Sequence, residues 1–157
     1  FLYRWGNPEN YDRGDGVDII LGDQHSINWI PAGYPGEGNL ILFNNFHEGN
    51  NSAVLEITTP IEDGHYILQS EEPYGPETWE WIYIGDISTP MQGGSFRLPN
   101  GNTLITAGRG NYLLEIDDAD NVVWEVNTED PFYRSERLPN LYPLSSQLSI
   151  ISYSSNG

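Results

Sequence analysis

The chain has no cysteine and no lysine among its 157 residues. Without thiols, disulfides and thiolate metal sites are excluded, and cysteine usage leaves the redox compartment open. Without lysine, its six basic residues are all arginine, set against 23 acidic ones for a formal net charge of −17. Such a surface repels nucleic acid and anionic membranes, so neither is expected as a partner. No apolar run approaches the roughly 20 residues that span a bilayer as a helix. No stretch keeps a helical apolar period over about 11 residues, so helix should be scarce. There is no Gly-rich phosphate loop, no Ser nucleophile elbow and no helix-borne metal motif.

What is present is a repeat. Ile30-Pro31 answers Leu98-Pro99, and Asn39-Leu40-Ile41 answers Asn102-Thr103-Leu104. Leu55-Glu56-Ile57 answers Leu114-Glu115-Ile116, and Trp79-Glu80 answers Trp124-Glu125, 45 residues on. Four short apolar runs divided by turn residues, at a period of roughly 40–45, mark a propeller blade. Strands are predicted over 1–5, 25–30, 39–44, 52–58, 65–69, 79–84, 94–98, 103–107, 112–116 and 122–127, each rich in β-branched and aromatic residues and bounded by Gly, Pro, Asn or Asp. The expected fold is all-β, about two four-stranded antiparallel blades plus flanking strands. Residues 1–24 read as the outer strand of a preceding blade and its connection, and 25–84 as a blade with long insertions. A compact blade follows over 85–127, then a connection and a possible new blade over 128–157, with an inner strand between Ser145 and Tyr153. The largest insertion, Thr59–Thr78, leaves room for an extra hairpin around His65. So few blades do not close a ring, and an open ring leaves bare strand edges. The chain therefore reads as part of a longer protein; the plainer alternative is a small complete sandwich.

Antiparallel pairing then predicts which loops share one mouth. The starts of the inner strands (24–25 and 94–95) should meet the second-to-third loops (44–51 and 108–111) and the connections 6–24, 85–93 and 128–144. His25 opens an inner strand there, with Asn28 beside it and Asn44 and Asn45 on the neighbouring loop. A histidine among amides and arginines can be a nucleophile, a base or a ligand; the plain alternative is a ring that hydrogen-bonds a loop carbonyl. Arg13, Arg109, Arg134 and Arg137 all fall in mouth segments, and in so acidic a chain they mark places for an oxyanion. Their plain alternative is surface pairing with carboxylates. Asp12–Asp18 and Asp117–Asn121 do not match a calcium loop, and the second sits where a hairpin turn is needed, so no metal is expected. Asn50-Asn51-Ser52 fits a three-residue glycosylation acceptor pattern.

The run Tyr3-Arg4-Trp5-Gly6-Asn7-Pro8, Tyr11, Arg13-Gly14, Gln24-His25, Trp29-Ile30-Pro31, Gly38-Asn39 and Phe43-Asn44-Asn45 resembles bacterial aryl-sulfate sulfotransferases. Leu98-Pro99-Asn100-Gly101-Asn102-Thr103-Leu104-Ile105 and Phe132-Tyr133-Arg134 to Arg137 continue the likeness, which extends to about Tyr142. It implies a six-bladed propeller, a periplasmic or secreted location, and sulfuryl transfer from a phenolic ester to a phenol without a nucleotide donor or cofactor. The small-molecule partners would be an aryl sulfate and a phenol; self-association is left open. The resemblance makes His25 the residue that takes the sulfuryl group and Ser95 a hydroxyl of the site, with Tyr11 and Trp29 stacking on the aromatic ring. The family often has Phe-Asp-Asn-Gly where this chain has Phe43-Asn44-Asn45-Phe46. The complete protein is expected to be an enzyme and the isolated 157 residues inactive; the competing reading is a non-catalytic extracellular propeller that binds ligands or surfaces.

Overall fold

The structure, a computed structural model, describes residues 2–131 and 133–137. The first sheet is built from β1 (His25–Trp29), β2 (Leu40–Glu48), β3 (Asn51–Ile57) and β6 (Trp81–Tyr83), side by side in that order. Between β3 and β6 lies a two-stranded hairpin, β4 (Ile61–Glu62) and β5 (His65–Tyr66), in the expected place around His65. The second sheet is β7 (Gly94–Arg97), β8 (Thr103–Ala107), β9 (Tyr112–Ile116) and β10 (Val122–Asn127), again in sequence order. Every pairing is antiparallel and neither sheet closes on itself. Among the described residues there is no α-helix, only three single turns of 3₁₀ helix. No helix there is long and apolar enough to cross a membrane.

The two meanders pack face to face. Ile41, Phe43 and Val54 of the first sheet meet Ile105, Leu114 and Ile116 of the second in one buried cluster. Each of the largest contributes about 1.5–3 kcal/mol by leaving water. The opposite face of the first sheet is covered too. Leu42, Ala53 and Leu55 lie under Trp5, Leu21 and Trp79. With both faces covered, Leu40–Phe43 is a continuous apolar run rather than an alternating one.

Three expectations need correction. Residues 2–5 form no strand; Trp5 instead caps the outer face of the first sheet, its Nε1 donating to Pro76 O at 2.7 Å. The strand expected over 65–69 stops at Tyr66. Trp79 is not the counterpart of Trp124: the register sets Trp81 opposite Glu56 and Trp124 opposite Glu115, so Trp81 and Trp124 correspond. Phe1, Phe132 and the strand expected between Ser145 and Tyr153 lie outside the described residues.

The acidic loops act as turns. Asp117 Oδ1 accepts from the Ala119 and Asn121 backbone N–H at 3.0 and 2.9 Å, and hydrogen bonds from Asn121 hold its carboxyl below the usual range. Asp15 and Asp18 cap a single turn of 3₁₀ helix reciprocally.

Two tyrosines tie loops down. Tyr3 Oη donates to Gly75 O at 2.8 Å and Tyr112 Oη to Asp86 O at 2.6 Å. Burial raises both phenols well above their ordinary pKa of 10.0, aided at Tyr112 by the Asp86 carboxylate. The unfolded chain therefore loses these protons first. Their contribution to stability is complete below about pH 10 and is lost as pH rises beyond it. Denaturant titrations at increasing pH should show a decline that begins near pH 10 and flattens in Tyr3→Phe and Tyr112→Phe; an unchanged slope in both variants would count against this origin.

Candidate functional site

His25 is the first residue of β1 and pairs with Phe43. Between His25 and Asn28 the ladder slips by one residue, and Ser26 takes φ 53°, in the left-handed region that a serine seldom enters. This bulge turns the half-buried imidazole toward the end of β2. There Nδ1 lies 2.7 Å from Asn45 Oδ1 and 2.8 Å from Asp23 O.

Asn45 has no freedom in this arrangement. Its Nδ2 donates to Thr89 O at 2.9 Å and to Gln92 O at 2.7 Å, so its oxygen must be the atom that faces histidine. Both neighbours of Nδ1 are then acceptors. In the neutral ring this geometry places the proton on Nδ1 and the lone pair on Nε2. Sequence reasoning missed Thr89 and Gln92, which act through their backbone carbonyls, groups that no side-chain motif reveals.

Several of the loops expected near His25 touch one another. Phe46 N–H donates to Gly22 O at 2.9 Å, Ser52 N–H to Ile87 O at 3.0 Å, and Ser88 Oγ to Asn50 O at 2.9 Å. The Arg109 N–H donates to Thr89 Oγ1 at 3.1 Å, which links the 108–110 turn through Thr89 and Asn45 to His25. The Arg109 side chain is exposed. Ser135 N–H donates to Thr106 Oγ1 at 3.1 Å, which brings the 133–137 segment to the same end of the second sheet.

The other predicted residues divide. Asn28 Nδ2 donates to Ser26 O and Ser95 O, both at 2.9 Å, and so ties β1 to β7. Ser95 is fully buried, and its hydroxyl finds no hydrogen-bond partner among the described residues; Gln92 Oε1 is likewise buried without one there. Asn44 turns away from His25: its Oδ1 accepts the Gly22 N–H at 2.8 Å and its Nδ2 reaches Ile20 O at 3.4 Å. A carboxylate could accept the same Gly22 bond, so the asparagine at 44 bears on the connection 20–22 and not on the histidine. Arg134 stacks on Phe96, its guanidinium carbon 4.7 Å from the ring centroid, with Glu136 at 3.8 Å. Trp29, 49 % exposed, follows Asn28 on the strand and projects from the other face of β1.

Tyr11 and Arg13 belong to a different place. They line a cleft of about 770 Å³ between the N-terminal segment and the 59–78 insertion, with Trp5, Ile20 and Tyr74 but not His25. Tyr11 Oη accepts from Tyr74 N at 3.1 Å, and Arg13 pairs with Glu71 at 3.3 Å.

Among the described residues, no group of three or more His, Cys, Asp or Glu side chains is placed to hold a metal ion. No family model, curated protein or solved structure matches this chain.

Proposed function

We propose that this chain is part of a β-propeller sulfotransferase that moves a sulfuryl group from a phenolic sulfate ester to a phenol through a sulfo-histidine at His25. The observation that carries the reading is the pair of acceptors at Nδ1: Asn45 Oδ1 and the Asp23 carbonyl flank it, an arrangement that in the neutral ring puts the proton there and the lone pair on Nε2. The partner of Nδ1 is an amide and not a carboxylate. That arrangement orients a neutral ring without adding charge, which suits a nucleophile.

In the first half-reaction the Nε2 lone pair attacks sulfur, the S–O bond to the aryl ring breaks, and phenoxide leaves. The leaving group is good because phenols have pKa near 10. In the second, the oxygen of an acceptor phenol attacks the same sulfur and releases its proton to solvent, where it neutralises the phenoxide expelled in the first half-reaction, and the S–N bond breaks with its electron pair returning to Nε2. Arg109 and Arg134, on the loops gathered at this end, are the candidates to neutralise charge on the sulfuryl oxygens. The two sheets of similar build, packed face to face, support the propeller reading.

The test is a covalent one. The complete protein, incubated with 4-nitrophenyl sulfate and no acceptor, should release 4-nitrophenol in a burst and gain the mass of one SO₃ on the peptide that contains His25. Adding phenol should remove the mass, and His25→Gln should abolish both. A burst that survives His25→Gln would overturn the assignment. Complete protein with neither burst nor adduct would favour a non-catalytic binding propeller.

A further inference from the structure

Both sheets carry the same three side chains at the same register. In the first, Asn39 Nδ2 donates to Glu56 Oε1 at 2.7 Å, and Glu56 of β3 lies opposite Trp81 of β6. In the second, Asn102 Nδ2 donates to Glu115 Oε1 at 2.6 Å, and Glu115 of β9 lies opposite Trp124 of β10. Each glutamate side chain is only 7 % exposed, a position that demands a cationic partner. Each takes a guanidinium from outside its own sheet. Glu56 binds Arg97 of β7, which also lies over the Trp81 ring at 4.9 Å from its centroid. Glu115 binds Arg137 at 2.9 Å.

The two arginines sit in the same hexapeptide. Ser95-Phe96-Arg97-Leu98-Pro99-Asn100 and Ser135-Glu136-Arg137-Leu138-Pro139-Asn140 are 40 residues apart and agree at five of six positions. The backbone follows suit. Gly93 lies against Phe43, so close that a side chain there would strike the ring. Register makes Thr106 the counterpart of Phe43: Phe43 faces His25 across β1–β2, and Thr106 faces Gly94 across β7–β8. On the second sheet it is Thr106 that receives Ser135. Residues 135–137 thus cross the second sheet from Thr106 to Glu115, as the start of β7 crosses the first from Phe43 to Glu56.

We propose that the face of the second sheet bearing Asn102, Glu115 and Trp124 is the docking surface for a third repeat unit, and that this chain supplies it from residue 134. Its first segment aligns from Arg134, and Arg137 is the side chain that fastens it. The aligned strand starts are then His25, Gly94 and Arg134, so the third unit delivers a guanidinium to the end of the assembly where the imidazole stands. This does not depend on the sulfuryl chemistry; it rests on register and on a paired buried carboxylate.

Hydrogen exchange on the full chain tests it. Amides of 134–140 should be protected in the parent protein. In Arg137→Glu they should exchange about tenfold faster or more, because the buried carboxylate loses its cation and meets a second anion. Glu115→Arg/Arg137→Glu should restore protection, whereas Glu136→Gln should change nothing. Amides of β2 and β3 serve as the folding control, since the Glu56–Arg97 pair stays intact in every variant. Protection confined to 145–153, no response to Arg137→Glu, or no rescue by the exchanged pair would overturn the proposal.

Discussion

Asn45→Asp is expected to lower folding stability by about 3–5 kcal/mol, among the largest effects of any single-atom change in this chain. The side chain at 45 is completely buried, and its nitrogen donates to two carbonyls, Thr89 O and Gln92 O. Aspartate replaces that donor with an acceptor. Two buried carbonyls lose their partner and a carboxylate oxygen is pressed toward both, with no water to relieve it. The loss spreads, because the same network fixes the loop between the sheets. Ser52 Oγ donates to Asn45 O at 3.0 Å and accepts from Thr89 N at 3.1 Å, and Thr89 Oγ1 accepts from Arg109 N. Urea unfolding at neutral pH measures the effect. Asn45→Leu is the comparison: it leaves the carbonyls unpaired without adding charge and should cost less than aspartate. An aspartate variant within about 1 kcal/mol of the parent would mean that the amide is not locked, and the tautomer argument for His25 would fall with it.

Asn45 also shows where the sequence could be read and where it could not. Asn44 and Asn45 are both visible as polar residues at the end of an apolar run near His25. Choosing between them needs the parity of β2, and alternation normally supplies parity. Here Ile41 and Phe43 face the second sheet while Leu42 faces Trp5, Leu21 and Trp79, so both faces are apolar and the alternation vanishes. The likeness of the two four-stranded sheets is legible, because Asn39 and Glu56 recur as Asn102 and Glu115 with the same hydrogen bond. Trp79 was mismatched to Trp124 for a related reason: the 59–78 insertion removes any fixed spacing, and only the pairing with Glu56 identifies Trp81. Tyr11 and Arg13 were placed at the mouth because connections generally run there. Their true partners, Tyr74 and Glu71, come from that insertion, which folds back through contacts some 60 residues apart in sequence. Local pattern carries no information about such contacts.

Glu56→Ala should cost a comparable ~3–5 kcal/mol, whereas Glu56→Leu with Arg97→Met should recover most of that loss, short of the bonds that Asn39 Nδ2 and Gly101 O give up. The reasoning begins with burial. The side chains of Arg97 and Glu56 are 9 % and 7 % exposed, so removing the carboxylate strands a guanidinium between two sheets. Among the described residues, what remains for Arg97 is one bond to Gly101 O at 3.2 Å and the face of Trp81, and its Nε has no partner there. Removing both charges at once also removes the cost of keeping them from water, and the apolar pair can pack on the same indole. A double-mutant cycle by urea unfolding gives the coupling directly. Single variants that cost under about 1 kcal/mol each would class the pair with surface bridges. A double variant as damaged as the sum of the singles would mean that the sheets need the charge itself. In that case Arg97 would be specifying how neighbouring units align, and Arg137 would inherit the same task at Glu115.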